Sequence, residues 1–347
     1  MTAHGQPADR PARREPGRES DPPSGSTPAG SESAVRSVDR LDPAHWATGH
    51  LPAEVACLAA RPDTLAPGSP AKVGILDLAF AVRGGRTELV ERYQKTPLQI
   101  TRPLWIDPAQ PDAAYVYLMA TGGGVAQADR YRIDARCGSG TRVHLTTQAA
   151  TKVFRMEQDY ASQLVHLTAD EDAYLEYLPD PLIPFGGSRF HQRTTVTAAP
   201  GATVVLGETI TAGRLARGER HDYQVLATDL EITRPDGTPL AVDTLRLTPG
   251  GDRAAVTGPA VFAGHDHLAT LYAVSDLRPA AEIADTLHRA LDGSGLLYGV
   301  STLPEDSGAW LRMLADNPVR TAAALDAAWR AVRLLLTGQP APALRKT

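Results

Sequence analysis

The chain has 347 residues, with 35 Lys and Arg against 40 Asp and Glu, for a net charge of -5. That length supports a sizeable core in one large domain or two, and the mild negative balance offers no basic footprint for nucleic acid. Cys57 and Cys137 form no CxxC pair, which argues against a disulfide framework or a thiolate zinc site. No apolar run is long enough to span a bilayer, so no membrane role is expected, and no apolar signal core is evident; a reducing cytoplasm is the expected home.

Residues 1–39 are Pro, Gly, Ser, Arg and Glu with hardly an apolar side chain. Such a segment does not offset its ordering entropy by burial. A loose lead-in follows to about Pro70, so residues 1–70 read as a disordered or loosely ordered extension. From Lys72 short β-rich runs alternate with Gly, Pro and Asp. Strands are predicted at 72–82, 88–93, 98–106, 114–120, 130–136, 142–147, 164–167, 173–177, 189–198, 203–206, 223–233 and 261–274. Tyr131, Ile133 and Ala135 alternate with Arg130, Arg132 and Asp134, a half-buried pattern that points to antiparallel pairing.

A turn followed by an alternating strand recurs about every thirty residues: before Val143, before Leu175 and before Val204. Stacked supersecondary units have such periods, although all-β proteins in general are full of turn-then-strand units. The tail changes character. Residues 279–291 carry Ile283, Leu287 and Leu291 at helical spacing, 310–315 read as a short helix, and 318–337 as a longer one closed by Gly338. The expected class is mainly β: a layered or partly solenoid-like β-sheet domain with C-terminal α-helices. The β-rich core spans 71–276, the helical part of the same domain 277–338, and a tail 339–347.

Three runs are unlike generic strands. The first reads Leu-Thr-Thr-Gln-Ala-Ala-Thr-Lys-Val-Phe-Arg from Leu145 to Arg155, preceded by Thr121-Gly122-Gly123 and an acid, Asp129. The second runs from Tyr174 to Phe185 and includes Glu176, Pro179, Asp180 and Pro181; Arg189 and Gln192 continue it. The third opens on Gly207-Glu208-Thr209 and includes Arg214, Gly218 and Glu219. These ordered blocks resemble the urease accessory protein UreD family, called UreH in some organisms, over about residues 76–337. Thr146, Thr147 and Lys152 lie in a complete match. The family pattern has Gly-Gly just before the acid, where this chain has Gln127-Ala128; if those glycines supply a left-handed backbone, the loop is built differently here.

The resemblance implies a scaffold, not an enzyme. It implies partnership with UreF, the GTPase UreG and apo-urease subunits, and a role in delivering nickel to urease. No cofactor is expected to bind tightly, and any nickel(II) contact would be transient. The absence of a GxxxxGK[ST] run agrees with a GTP site on the partner, and no GxSxG elbow occurs. Nickel(II) favours imidazole, carboxylate and amide ligands when thiolates are absent. Gln148, Asp180 and Glu208 sit at matching offsets after Gly140, Asp172 and Gly201, and His144 and Glu176 share the next inner offset. Stacked layers would set these side chains in a column with Asp129 near its start, a hydrophilic lining for an ion in transit. The competing reading is that they tie turns through backbone hydrogen bonds.

His265-Asp266-His267 is a second metal candidate, since residues two apart on a strand share a face; a turn between two short strands is the alternative. Arg189, Arg193, Arg214, Arg217 and Arg220 suit carboxylate pairing, with partners or with the acids just named. Two other functions stay open: within the resemblance, a pure interaction scaffold or conformational chaperone of apo-urease that never touches nickel; outside it, a β-solenoid hydrolase with a carboxylate pair in an open groove.

Overall fold

A computed structural model describes residues 39–60, 72–250 and 253–344. Two short helices, α1 (Pro43–Trp46) and α2 (Ala53–Ala56), precede the β region. Its strands are β1 (Val73–Arg83), β2 (Arg86–Lys95), β3 (Leu98–Gln99), β4 (Ala114–Ala120), β5 (Arg130–Cys137), β6 (Arg142–Thr147), β7 (Thr151–Val153), β8 (Ala161–Ala169), β9 (Tyr174–Tyr177), β10 (Leu182–Pro184), β11 (Arg189–Ala198), β12 (Thr203–Thr211), β13 (Val225–Thr233) and β14 (Pro239–Leu247). Then follow α3 (Arg253–Thr257), β15 (His267–Val274), α4 (Ala280–Leu291), β16 (Leu297–Thr302), β17 (Gly308–Ala315) and α5 (Pro318–Thr337).

The chain winds as a β-solenoid of about four turns. One wall is the seven-stranded sheet β14-β13-β11-β8-β5-β1-β2; the other runs β16-β17-β15-β12-β9-β6-β4-β3. Each coil places one strand in each wall, so β1, β5, β8, β11 and β13 pair in parallel, as do β4, β6, β9 and β12. The antiparallel expectation for 130–136 is therefore corrected. Tyr131, Ile133 and Ala135 face the other wall, while Arg132 and Asp134 face out and pair with each other. A solenoid wall with one solvated face produces in parallel strands the alternation that more often marks antiparallel ones. Antiparallel pairing is confined to the margins, as in β1–β2, β13–β14, β12–β15, β15–β17 and β16–β17.

The main core lies between the walls, from Leu76 and Leu78 through Leu145, Leu175 and Val204 to Val274. A second core forms where α4 and α5 cover the outside of the second wall, joining Val205, Leu271, Ile283, Leu287, Trp329 and Val332. The predicted helix at 310–315 is strand β17. Leu311 and Met313 enter the helix-side core while Ala309 to Leu314 pair with both β15 and β16; sheet pairing overrode a short apolar run that is ambiguous alone. The 277–338 stretch thus contains a hairpin between its helices. The 98–106 strand shrinks to Leu98–Gln99, and the 261–274 strand begins only at His267.

Of the N-terminal extension, residues 39–60 pack on the outer face of the first wall. Val55 is fully buried against Tyr160, Val225 and Ala227, and Arg40 pairs with Asp77. The rest of the 1–70 extension expected to be disordered or loosely ordered, residues 1–38 and 61–70, falls outside the described residues.

Candidate functional site

Side chains alternate across the second wall, and this alternation splits the expected column in two. His144 and Glu176 are register partners on β6 and β9 and face the helices. Glu208, two positions beyond Leu206 on β12, faces the first wall instead, where Gln192 Nε2 donates to its Oε1 at 2.7 Å.

The helix-side pair belongs to a sealed network. His144 Nδ1 hydrogen-bonds Glu176 Oε2 at 2.6 Å. Tyr174 Oη and Trp329 Nε1 each donate to Glu176 Oε1 at 2.9 Å. Arg333 donates to Glu176 Oε2 at 3.0 Å and to Asp107 Oδ2 at 2.6 Å, and Tyr115 Oη also donates to Asp107. Burial alone would raise the Glu176 pKa, but the His144 hydrogen bond and charge, then Arg333 and Trp329, hold it at about 2. A buried carboxylate so fully paired acts as a fastener between α5 and the solenoid. Sequence reasoning missed Arg333 and Asp107, which lie 157 and 69 residues from Glu176 and in no matched block.

The Thr-Thr step has a physical role. The β6–β9 ladder ends at Leu145 and Tyr177. Beyond it Thr146 Oγ1 donates to the Leu178 carbonyl at 2.6 Å, and Thr147 Oγ1 accepts from the Asp180 N–H at 2.8 Å and contacts Asp180 Oδ2 at 3.2 Å. Hydroxyls therefore continue the coil-to-coil connection where backbone pairing stops. Pro181 takes part through its carbonyl, which accepts from Thr151 N–H at the start of β7.

A cavity of about 160 Å³ opens between the walls at this end. Gln148, Lys152, Asp180, Gln192, Glu208 and Tyr131 line it, as do Gly123 and Pro179. Gln163, also lining it, reaches Gln192 at 3.4 Å, so a polar thread runs from β8 through β11 to Glu208. Burial and the nearby Asp243 charge raise the Glu208 carboxyl to about 7 against the opposing Arg312 and the Gln192 hydrogen bond. Asp243 is itself held by Tyr272 Oη at 2.8 Å and by Arg312.

Asp129 does not line this cavity. Its Oδ2 accepts from Ala126 N–H at 2.8 Å and from Tyr131 Oη at 3.0 Å, which fixes the Tyr131 ring at the cavity wall. Ala128 adopts φ 62°, so the left-handed turn expected of glycine is made here by alanine. Gly122 and Gly123 form the turn before it, and Gly124 permits close approach: a Cβ there would sit 2.7 Å from the Lys152 carbonyl.

The remaining motif residues brace turns. Arg214 Nε donates to Glu219 Oε2 at 2.8 Å, the same carboxylate caps Gly186 N–H at 3.0 Å, and the guanidinium lies 4.0 Å from the Phe185 ring. Gly218 ends the turn Leu215–Arg217 at φ 77°. Arg189 donates to Gln224 and to the Asp159 carbonyl. Gly207 faces the helices, where a Cβ would come within 2.8 Å of Leu178. Arg193 pairs with Glu231 and Arg220 with Asp266 on the protein itself.

The two-histidine candidate is corrected. His265 precedes β15 and pairs with Asp316 at the surface, while His267 is 2 % exposed. Among the described residues no group of three or more His, Cys, Asp or Glu is placed to hold a metal ion, and no helix is long and apolar enough to cross a membrane.

Residues 72–347 match the family model described as UreD urease accessory protein. A Urease accessory protein UreD 2 of Streptomyces griseus is 73 % identical over 292 residues, covering 84 % of this chain and all of that protein. Urease accessory protein UreD of Haloarcula marismortui is 36 % identical over 281 residues, 81 % of this chain and 93 % of the relative. The UreD of Cenarchaeum symbiosum is 31 % identical over 283 residues, 81 % and 99 % of the two chains. The chain belongs to the UreD family of urease accessory proteins, non-catalytic factors in urease maturation.

Proposed function

We propose that this chain scaffolds UreF and UreG on apo-urease in the cytoplasm, and that the inter-wall cavity is part of the route by which nickel(II), the cargo, reaches urease. The observation that carries the reading is the polar lining of an otherwise apolar core: Gln148, Asp180, Gln192 and Glu208 converge on one opening. Oxygen donors spread along a wall, with no cluster of three acids or imidazoles among the described residues, suit an ion that is passed rather than stored. Asp180 and Glu208 supply charge, Gln148 and Gln192 supply neutral acceptors, and Tyr131 and Tyr177 bound the space.

The scaffold without nickel contact is the second reading. It is favoured by His144 and Glu176, two motif-associated polar residues whose partners serve to fasten α5. Complementation separates the two. A urease-positive host lacking its own UreD is supplied with this chain and its cognate UreF, UreG and urease subunits. Restored urease activity that is lost in Asp180→Ala, Glu208→Ala, while the partners still co-purify, supports transit. Full activity in that variant leaves only the scaffold.

A further inference from the structure

Residues 39–60 lie ahead of the stretch that matches the UreD family model, which begins at residue 72. They form a strap across the outer face of the first wall, with α1 against β5 and α2 against β11 and β13. Val55 fills an apolar patch of Tyr160, Val225 and Ala227, with Leu51 and Leu58 beside it. Arg40 Nε donates to Asp77 Oδ2 at 2.8 Å, Ala60 N–H donates to Asp159 Oδ1 at 3.3 Å, and Glu54 lies 3.9 Å from Arg246. Arg132 donates to the His45 carbonyl.

Two imidazoles meet at this contact. His166 on β8 is the register partner of Asp134 on β5 and of Thr195 on β11, so its ring stands on the outer face. Its Nδ1 meets Thr195 Oγ1 at 2.5 Å, while its Nε2 is buried without a partner. His45 of α1 also has a buried Nε2 without a hydrogen bond, 3.8 Å from Asp134 Oδ2. Arg40, Asp77, Arg132 and Asp134 surround His45; Arg132, Asp134, Arg193 and His45 itself surround His166. The carboxylates give an imidazolium little help, because each is already engaged. Arg132 takes both oxygens of Asp134, at 2.6 and 2.8 Å, and Arg40 and Arg136 share Asp77. Burial first, and then the Arg132 guanidinium, lower both imidazoles below their ordinary range, His166 to about 4.

We propose that residues 39–60 are an acid-released strap: protonation of His45 and His166 detaches it from the first wall and uncovers the Tyr160, Val225 and Ala227 patch, while the solenoid keeps its own core. The strapped state holds the two rings neutral, whereas rings freed into water return to about 6.5. The released state therefore binds more protons and gains as pH falls from about 6.5 toward 4. His166 alone would favour release by roughly thirtyfold between pH 7.5 and pH 5, and its partial exposure lowers the expectation to about tenfold. The device does not depend on the transit reading.

The test is electron paramagnetic resonance of the full chain carrying a nitroxide at Cys57, which is exposed on the strap, whereas Cys137 is buried in the inter-wall core. The label is expected to be restrained at pH 7.5 and to gain a mobile fraction at pH 5, with the opening equilibrium up about tenfold and the near-ultraviolet circular dichroism unchanged. His45→Gln, His166→Gln should abolish the rise, and His50→Ala, at an exposed strap histidine, should keep it. Label motion that is the same at both pH values in wild type overturns the proposal. So does a wild-type rise in the double variant, or release that comes only with loss of the near-ultraviolet signal. Should the double variant fail to fold, histidine NMR of wild type decides: His45 and His166 rings that take up protons along the label transition support the strap, and rings that stay neutral through it overturn it.

Discussion

Glu208→Gln tests the electrostatics of the cavity without changing its shape, because the new amide carbonyl can still accept from Gln192. In the native protein the Glu208 carboxyl titrates at about 7 instead of 4.5. The folded state thus retains a proton that the unfolded chain has lost, and stability falls as pH rises between those values. At about 1.4 kcal/mol per pH unit the shift corresponds to about 3 kcal/mol, and the carboxyl borders an open cavity, so screening reduces the expected effect to about 1–3 kcal/mol. Glutamine carries no such penalty. Urea denaturation of wild type and Glu208→Gln should give equal stabilities near pH 4 and a more stable variant at pH 8. The same variant should activate urease poorly, since it loses the charge that the transit reading assigns to Glu208. A variant no more stable at pH 8 than at pH 4, relative to wild type, would refute the reasoning.

Arg333→Leu leaves Glu176 and Asp107 buried without their cation and should cost about 3–5 kcal/mol, seen as a lower denaturation midpoint and loss of protease resistance in α5. Acid should act on the same fastener: Glu176, held at about 2, stabilises the fold fully above the ordinary carboxylate range and ceases to do so as pH falls toward 2, an effect to be read as a shallower acid limb in Arg333→Leu. Ala128→Gly should stabilise slightly, by roughly 0–1 kcal/mol, because relief of the left-handed strain (about 1–2 kcal/mol) exceeds the added chain entropy (about 0.5–1 kcal/mol); thermal melting checks it. Gly308→Ala should yield no folded protein, since a Cβ there would lie 2.0 Å from the Ala273 carbonyl at φ 138°; soluble expression with a native circular dichroism spectrum would contradict this.

Much of the fold was legible because a solenoid is built from local signals. Turn residues ahead of Val143, Leu175 and Val204 mark successive coils, and alternation marks which side chains enter the core. Strand direction was not legible, because Arg130 to Arg136 alternate equally well in a parallel wall with one solvated face. Offset counting brought Gln148, Asp180 and Glu208 to one cavity, yet it also joined to them His144 and Glu176, which lie inside β6 and β9 and face the helices, whereas Gln148 and Asp180 lie beyond the ends of those strands. Asp129 was read as a lining residue and instead anchors Tyr131. Arg333 carried no local signal, since its partners are fixed only when α5 closes over the sheet. For His265 and His267, the late start of β15 separates two neighbours that a continuous strand would have aligned.

The central claim is that the inter-wall cavity carries nickel. The most direct measurement is the nickel content of urease after reconstitution from purified apo-urease, UreF, nickel- and GTP-loaded UreG and this chain, comparing wild type with Asp180→Ala, Glu208→Ala at equal complex assembly. The account predicts metal-replete urease with wild type and largely empty active sites with the variant. Equal nickel loading by the two would contradict it and leave this chain a scaffold that nickel does not cross.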